Sequence, residues 1–256
     1  MRQPGRATGR TADVSPLQMS LWSSQDASSG WNVRISRRAR NLSMRVFPGG
    51  RVEVVVPPGV GVPAVERFVS RHRDWAERRS QELALHAPVP AQRRPSSIEL
   101  GAAGRRWSIE YVRGMRTSAH ETDIGTLRVS LAVDSDAAVS QALLRWLTGR
   151  AHAHLAPLLR ETAEQTRIDY TRLQLRRQRT RWGSCSTTGS ISLNVCLMFQ
   201  RPEVVHYLLV HELCHRRQMN HSPRFWDLVA TFVPDCRTLD AELLQGWRHV
   251  PGWVFP

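Results

Sequence analysis

The 256-residue chain contains no lysine, and all 36 of its basic residues are arginine. With only 22 acidic residues, the formal net charge is +14. A surface this basic favours polyanions and acidic proteins, through attraction that is salt-dependent and mostly non-specific. No recognised nucleic-acid reader motif accompanies the charge, so we expect weak nucleic-acid binding at most.

Long apolar runs and cysteine pairs are also missing. No segment approaches the roughly 18 apolar residues of a membrane span, and residues 1–20 lack the apolar segment of a secretory signal. We therefore expect no membrane partner. The four cysteines form no CxxC pair, which argues against a zinc ribbon, a redox motif or a disulfide scaffold and makes a cytoplasmic location the expectation. The sequence does not specify an oligomeric state.

The chain does contain a metal-binding pattern. His211, Glu212 and His215 have HExxH spacing, and His221 follows six residues later. Helical positions four apart lie about 40° from each other, so His211 and His215 can bind one ion from the same face. Glu212 is then free to accept a proton from a metal-bound water. By chance, this composition would give an HExxH in roughly 2 chains per hundred.

The residues after His215 predict a reversal of the chain. A continuing helix would place His221 about 9 Å further along the axis and facing away. Asn220 tolerates the left-handed conformation that closes helices, and Pro223 disfavours a helical Ser222. We therefore expect His221 to turn back to the ion and a new helix, capped by Ser222, to follow. Three histidines with one open position are typical of a catalytic site for one Zn²⁺.

Several roles around this motif stay open in the sequence. A downstream carboxylate, Glu242 or Asp227, is the alternative to His221 as third ligand. Polar or small residues that could orient the imidazoles or line a substrate-binding edge are Asn194, Ser184, Cys185, Tyr207, Asn220 and Asp227. Candidates for stabilising an oxyanion are Tyr207, His206 and several arginines.

The front half of the chain has the alternating pattern of β-structure. We predict a strand region over residues 31–46, which forms a hairpin with a second strand over 51–56 after the turn at Pro48. A helix is expected from Pro63. Further strands are predicted near residues 107–111 and 127–133, and the residues between these strands, Gly114 to Gly125, are expected to form a polar loop.

The spacing of apolar residues changes at Asp136 from that of strands to that of a helix. A long helix is predicted to begin there, with a kink or break at Pro157. A strand is predicted to start at Leu173, and RTRWGSCS, Gly189 and ISLN then predict a hairpin over residues 179–194, ahead of the HExxH helix. A last helix is expected over residues 237–248. The small residues of GSC leave room for another backbone, so an open sheet edge there could pair with an extended peptide, although an ordinary turn fits equally well.

The whole pattern predicts an α+β fold in three parts. We expect a flexible tail over residues 1–29, a β-rich subdomain with one helix over residues 30–134, and a mostly helical domain with a small β-sheet over residues 135–256.

These motifs together resemble the YgjP-like family of metal-dependent hydrolases, a zincin group related to the SprT and WLM metallopeptidases. The resemblance spans about residues 33–244 and includes VVVPPGV, RHRDWAERR, RWGSCS, GSISLN, HELCH and NHSPRFW. It implies a zincin-type catalytic domain in which His211, His215 and His221 bind zinc and Glu212 is the general base and acid. The chain lacks the cysteines of the SprT zinc ribbon, which weakens any transfer of a DNA-linked protease role.

The expected function is zinc-dependent hydrolysis of a peptide or protein substrate. One alternative is a nucleic-acid-associated protein, either an SprT-like protease or a basic binding module, in which zinc is mainly structural. Another is a zinc-dependent amidase or other hydrolase that acts on a non-peptide substrate, because zinc chemistry is shared between these classes.

Overall fold

A computed structural model of the chain describes residues 31–84, 93–123 and 125–255, and the predicted tail over residues 1–29 lies outside them. The chain divides after Leu85 into two compact units, residues 1–85 and 86–256. The helices are α1 (Val62–Ala84), α2 (Asp136–Thr166), α3 (Pro202–Cys214), α4 (Pro223–Phe232) and α5 (Cys236–Gln245). The strands are β1 (Trp31–Ile35), β2 (Ser43–Val46), β3 (Val52–Val56), β4 (Ser97–Leu100), β5 (Arg105–Arg113), β6 (Ser118–Asp123), β7 (Thr126–Leu131), β8 (Arg172–Arg176), β9 (Gly183–Cys185) and β10 (Ser190–Asn194).

The first unit is a three-stranded sheet, ordered β1-β3-β2, with α1 beside it. β2 and β3 form the antiparallel hairpin that the sequence predicts. The predicted strand region over residues 31–46 is, however, two strands, and β1 pairs in parallel with the other side of β3. Valines supply most of the core of this unit, including Val33, Val54 and Val65, as expected for a central strand buried on both sides.

The second unit begins with a four-stranded sheet, ordered β4-β5-β7-β6. The segment predicted as a polar loop contains β6, so that prediction is wrong. β6 is an edge strand with few apolar residues, and its Glu121 accepts a hydrogen bond from Trp146 and also pairs with Arg150, both on α2. Backbone pairing with β7 and polar contacts to a helix therefore hold this strand, and neither leaves an alternating apolar pattern in the sequence.

Of the kink or break expected at Pro157, the break is absent, because helix α2 is continuous through this residue. Proline removes one helical hydrogen bond, here to the carbonyl of Ala153. Both residues are exposed, so water can satisfy the freed carbonyl. Ser135 caps the start of the helix by accepting a hydrogen bond from the Ala138 amide, and Arg167 ends it in the left-handed conformation with φ of 54°.

A second, three-stranded sheet is ordered β8-β10-β9. The predicted hairpin is present, because β9 and β10 pair antiparallel, while β8 pairs with β10 in parallel. Helix α3 packs against α2, α4, α5 and β9, and its residues from Tyr207 to Cys214 are all buried. The strand β9 is thus both a sheet edge and a neighbour of the HExxH helix.

The fold is α+β, as predicted. Among the helices of the described residues, none combines the length and apolar character needed to span a bilayer. The predicted three-part division of the chain stays a prediction.

Candidate metal and catalytic site

Helix α3 positions the first two residues of the motif. Pro202 stands at its first turn, where a missing backbone N–H costs nothing, and Glu203 follows with a charge that suits the helix N-terminus. The buried residues after them fix the helix in the interior, and they carry His211 and Glu212 inward with it. His211 is only 9% exposed and Glu212 only 3% exposed.

The chain reverses earlier, and by different chemistry, than the sequence predicts. The helix ends at Cys214, and His215 is its C-terminal cap in the right-handed helical conformation. Tight turns follow, in which the amides of Arg217 and Gln218 both donate to the Cys214 carbonyl, at 2.9 and 3.0 Å. Asn220 does not adopt a positive φ, so the expected left-handed closure there is wrong, although the predicted reversal itself is present.

The reversal brings the three histidines together. The Nε2 atom of His211 lies 3.2 Å from Nε2 of His215 and 3.1 Å from Nε2 of His221. Among the described residues, these three histidines form the one cluster of at least three His, Cys, Asp or Glu side chains that could bind a metal ion. Their ligand atoms all lie within 4.8 Å of one another. His211 and His215 are buried, whereas His221 is exposed, so one side of the cluster is open to solvent.

Hydrogen bonds on the other side of the rings fix which nitrogen carries the proton. His215 Nδ1 lies 3.0 Å from the Gln218 carbonyl, which can only accept, so Nδ1 is the donor. His211 Nδ1 lies 3.0 Å from the Tyr207 hydroxyl, and that hydroxyl donates its own hydrogen to Asp240 at 2.8 Å. His211 must therefore donate to Tyr207, which leaves the Nε2 lone pairs of both imidazoles facing each other.

Facing lone pairs repel unless a cation lies between them, so this arrangement fits a metal ion. Zinc–nitrogen bonds of about 2.0–2.1 Å at tetrahedral angles would place two nitrogens about 3.3 Å apart, close to the spacing of His211 Nε2 from its two neighbours. The contact of His211 with Tyr207 and Asp240 is also typical of metal sites, where an outer partner orients the ligating imidazole.

The electrostatics favour neutral imidazoles at His211 and His215, and the neutral imidazole is the form that binds metals. Burial, together with the neighbouring His215 and His221, lowers the pKa of His211 to about 3. Burial also lowers the pKa of His215. The pKa of Tyr207 is raised far above its usual value by burial and by Asp240, so its hydroxyl keeps the proton that it donates.

Glu212 is a buried carboxyl group with spare hydrogen-bonding capacity. Its Oε2 has no hydrogen-bond partner within the described residues. Burial raises the pKa of Glu212 to about 8, and the charge of Arg181 opposes that rise. A carboxyl group whose pKa lies near neutral pH is suited to both accepting and donating a proton.

Gly183, the first residue of β9, lies directly against the Glu212 side chain. A Cβ atom built at Gly183 would approach Glu212 Cδ to 2.8 Å and Cγ to 2.9 Å, and Oε1 more closely still. The glycine of RWGSCS is therefore required for the close approach of the strand to the carboxylate.

The outer edge of β9 presents backbone groups that β10 does not use. The Trp182 carbonyl and the Ser186 amide bond to β10, and Ser184 pairs with Ser192 between them. Because pairing alternates along an antiparallel strand, the N–H and C=O groups of Gly183 and Cys185 point away from β10. The sheet order leaves that edge open.

The remaining sequence candidates lie in other places. Asn194 is fully buried, and its amide binds the Gln178 and Arg181 carbonyls and the Cys196 amide, so it anchors a loop and not an imidazole. Asn220 is exposed beside His221.

The alternative third ligands do not join the histidines. Both carboxylate oxygens of Glu242 bind Arg201, at 2.6 and 2.7 Å, and Asp227 is exposed outside the histidine group. Tyr207 is also unsuited to stabilise an oxyanion, because its buried hydroxyl serves His211 and Asp240. His206 lines a different cavity of about 690 Å³.

Two contributors to the site are absent from the sequence-based set. Asp240 lies 33 residues after Tyr207 in the chain, and neither spacing nor motif connects the pair. Gly183 lies within a stretch whose small residues were expected to admit a peptide backbone, but its contact with Glu212 could not be read from the sequence.

The sequence of the chain matches the model of one protein family. The profile of the YgjP-like metallopeptidase domain matches residues 40–245, which is most of the chain. The chain belongs to the YgjP-like family. The YgjP-like chain is therefore a metallopeptidase, and its family implies a divalent metal.

Two solved structures are similar to part of the YgjP-like chain. The metallopeptidase zymogen abylysin of Pyrococcus abyssi shares 21% sequence identity over 35% of this chain and 91% of its own, with a TM-score of 0.33. The metallopeptidase zymogen jannalysin of Methanocaldococcus jannaschii shares 19% identity over 36% of this chain and 94% of its own, with a TM-score of 0.32. No match was found among curated proteins.

Proposed function

We propose that this chain is a zinc-dependent peptidase that cleaves peptide bonds with Glu212 as general base and general acid. The observation that carries the proposal is the convergence of three imidazole Nε2 atoms, together with the buried carboxyl group of Glu212, whose Oε2 has no hydrogen-bond partner within the described residues. His211, His215 and His221 would hold one ion. An all-nitrogen set of three ligands with an open side is typical of catalytic zinc.

The residues around that ion have separate roles. Zn²⁺ would supply a Lewis acid that lowers the pKa of a water and polarises the scissile carbonyl. Glu212 accepts a proton from the attacking water at its free Oε2 and passes it to the nitrogen of the leaving amine. Tyr207, held by Asp240, keeps the proton of His211 on Nδ1 and its ring orientation fixed.

The open edge of β9 is the proposed binding place for the substrate backbone. An extended peptide can pair with the free N–H and C=O groups of Gly183 and Cys185, because an unpaired strand edge accepts a further strand. Gly183 touches Glu212, so a peptide bound there would place its backbone beside the carboxylate. The side chains of the bound peptide, which alternate between the two faces of its strand, would then be available for recognition by the protein.

The test is a comparison of Glu212→Gln with Glu242→Gln after loading with zinc. Glu212→Gln should bind one zinc ion per chain and lose peptide cleavage by about 100-fold or more, whereas Glu242→Gln should keep both properties. Metal content is measured by mass spectrometry and cleavage with an unbiased peptide library. Comparable cleavage by Glu212→Gln would exclude the mechanism, and turnover confined to non-peptide amides would favour the amidase alternative.

A further inference from the structure

Arg181 is an exposed arginine two residues before the edge strand β9. Within the described residues, its guanidinium forms no hydrogen bond and no ion pair. Its neighbours in the same basic segment differ in this respect, since Arg176 donates to Gln174 and Arg177 donates to the Val254 carbonyl. Arg181 therefore presents unused hydrogen-bond donors and a positive charge at one end of the proposed substrate edge.

The backbone below this charge is held firmly in place. The Asn194 amide donates to the Arg181 carbonyl at 2.8 Å and to the Gln178 carbonyl at 2.7 Å. The next residue, Trp182, is buried and stacks on Trp247 with ring centroids 4.2 Å apart. A guanidinium on such a base loses less conformational freedom when it binds a ligand than one on a mobile loop.

Arg181 is also close to the catalytic carboxylate. It lies two residues before Gly183, the residue that touches Glu212. Arg216, by contrast, donates to the backbone carbonyls of Asp169 and Thr187, so it links the hairpin to the preceding loop. Arg181 is thus the arginine near Glu212 whose hydrogen-bonding groups are unused.

We propose that Arg181 is a specificity-determining residue that binds a carboxylate of the peptide substrate at the Trp182 end of β9. The proposal rests on the peptidase function proposed above and names its substrate class, which is peptides with a carboxylate at a fixed distance from the scissile bond. A guanidinium recognises a carboxylate through two parallel hydrogen bonds. The carboxylate can belong to an aspartate or glutamate side chain or to the C-terminus of the peptide.

The experiment uses the full-length, zinc-loaded protein and a random peptide library prepared in two forms, with free and with amidated C-termini. The wild type should prefer an acidic residue at one position, or a free C-terminus at one distance, over the uncharged counterpart by about 10- to 100-fold. Arg181→Gln should remove that preference and Arg181→Lys should retain part of it. Arg181→Glu should favour a basic residue at the same position.

Arg172→Gln is the matched control, because Arg172 is an exposed arginine on β8, at the opposite edge of the same sheet. It removes the same charge and should leave the preference unchanged. A second readout is binding without turnover, measured by fluorescence anisotropy of a labelled glutamate-containing hexapeptide and its glutamine counterpart on zinc-loaded Glu212→Gln protein. The glutamate peptide should bind more tightly, and adding Arg181→Gln should remove the difference.

The outcomes separate this proposal from the function on which it rests. Absence of any peptide cleavage by the wild type would overturn the peptidase function and this proposal together. Cleavage with no preference for a carboxylate, or with a preference that survives Arg181→Gln, would overturn this proposal alone. A uniform fall in kcat for all peptides in Arg181→Gln would instead assign Arg181 to transition-state stabilisation and would likewise overturn the proposal.

Discussion

Substituting Gly183 by alanine tests whether the contact between β9 and Glu212 sets the position of the catalytic carboxylate. The added methyl group is the smallest change that fills the space between strand and side chain. Gly183 does not have a positive φ, so alanine can adopt its backbone conformation without strain. Any effect of the substitution therefore comes from the new contact.

The size of the effect follows from the distances. A Cβ atom at Gly183 would lie 2.8 Å from Glu212 Cδ and 2.9 Å from Cγ, whereas ordinary contacts begin at 3.4 Å. The Glu212 Cδ and Cγ atoms must therefore shift by about 0.5–0.6 Å, and Oε1, which would lie closer still to the new Cβ atom, must shift by more. Since a misplacement of about 1 Å can reduce the rate of an enzyme by roughly 100-fold, we expect kcat/KM to fall by about 10- to 100-fold. Overpacking of this kind should also destabilise the protein by about 1–3 kcal/mol.

The assay measures kcat/KM on a cleaved library peptide, zinc content and the free energy of unfolding for Gly183→Ala and for Gly149→Ala. Gly149 lies in α2 and a Cβ atom there has no neighbour within 4 Å, so this control should keep full activity and gain about 0.5–1 kcal/mol of stability. Gly183→Ala should still bind zinc, because the contact involves Glu212 and not the imidazoles.

A Gly183→Ala protein with zinc bound and kcat/KM within threefold of the wild type would refute the reasoning. It would mean that Glu212 moves without loss or that its observed position is not the catalytic one. A double-mutant cycle with Glu212→Asp strengthens the test. The shorter side chain leaves room for the new methyl group, so Gly183→Ala should cost less activity in that background.

Further predictions concern the metal and the charge. Tyr207→Phe should weaken zinc binding by about 10- to 100-fold, with a smaller loss for Asp240→Asn, as measured by competition with a chromophoric chelator. His221→Ala should lose the bound zinc detected by mass spectrometry, whereas Glu242→Gln should keep it and change the free energy of unfolding by less than about 1 kcal/mol, because the Arg201 pair is partly exposed. Free zinc at 100 times its Kd should stabilise the fold by about 2.7 kcal/mol, and a chelator should lower Tm accordingly. If the nucleic-acid alternative holds, DNA binding should weaken steeply between 50 and 200 mM salt and persist in Glu212→Gln.

The elements that the sequence predicts well are those whose signals are local. The periodicity of α3, the hairpin of β9 and β10, and the helix after Ser222 each depend on residues within one short stretch. The return of His221 was also predictable, because Pro223 forbids a continuous helix. The prediction failed in the detail of the turn, since backbone hydrogen bonds to Cys214 close the helix in place of a left-handed Asn220.

The features that the sequence does not predict depend on contacts between distant segments. Tyr207 and Asp240 are 33 residues apart, and only the packing of α5 on α3 brings them together. The same holds for β6, whose Glu121 is held by α2. Hydrogen bonds between polar side chains have no periodicity, so they appear only when the fold is known.

The site shows why such distant contacts are needed. Helix α3 buries His211, Glu212 and His215 in a protein interior, where a polar atom without a partner costs about 1–3 kcal/mol. Tyr207 and the Gln218 carbonyl satisfy the two Nδ1 atoms. The Nε2 atoms of these two imidazoles face each other, and Glu212 Oε2 has no hydrogen-bond partner within the described residues. The fold thus supplies hydrogen-bond partners for Nδ1 of each of these two imidazoles and leaves Nε2 for an ion. The same buried groups that lower the stability of the metal-free protein should therefore give the metal its affinity. Motifs such as HELCH would supply the metal ligands, and residues distant in the chain would keep His211 and His215 oriented and available for the ion.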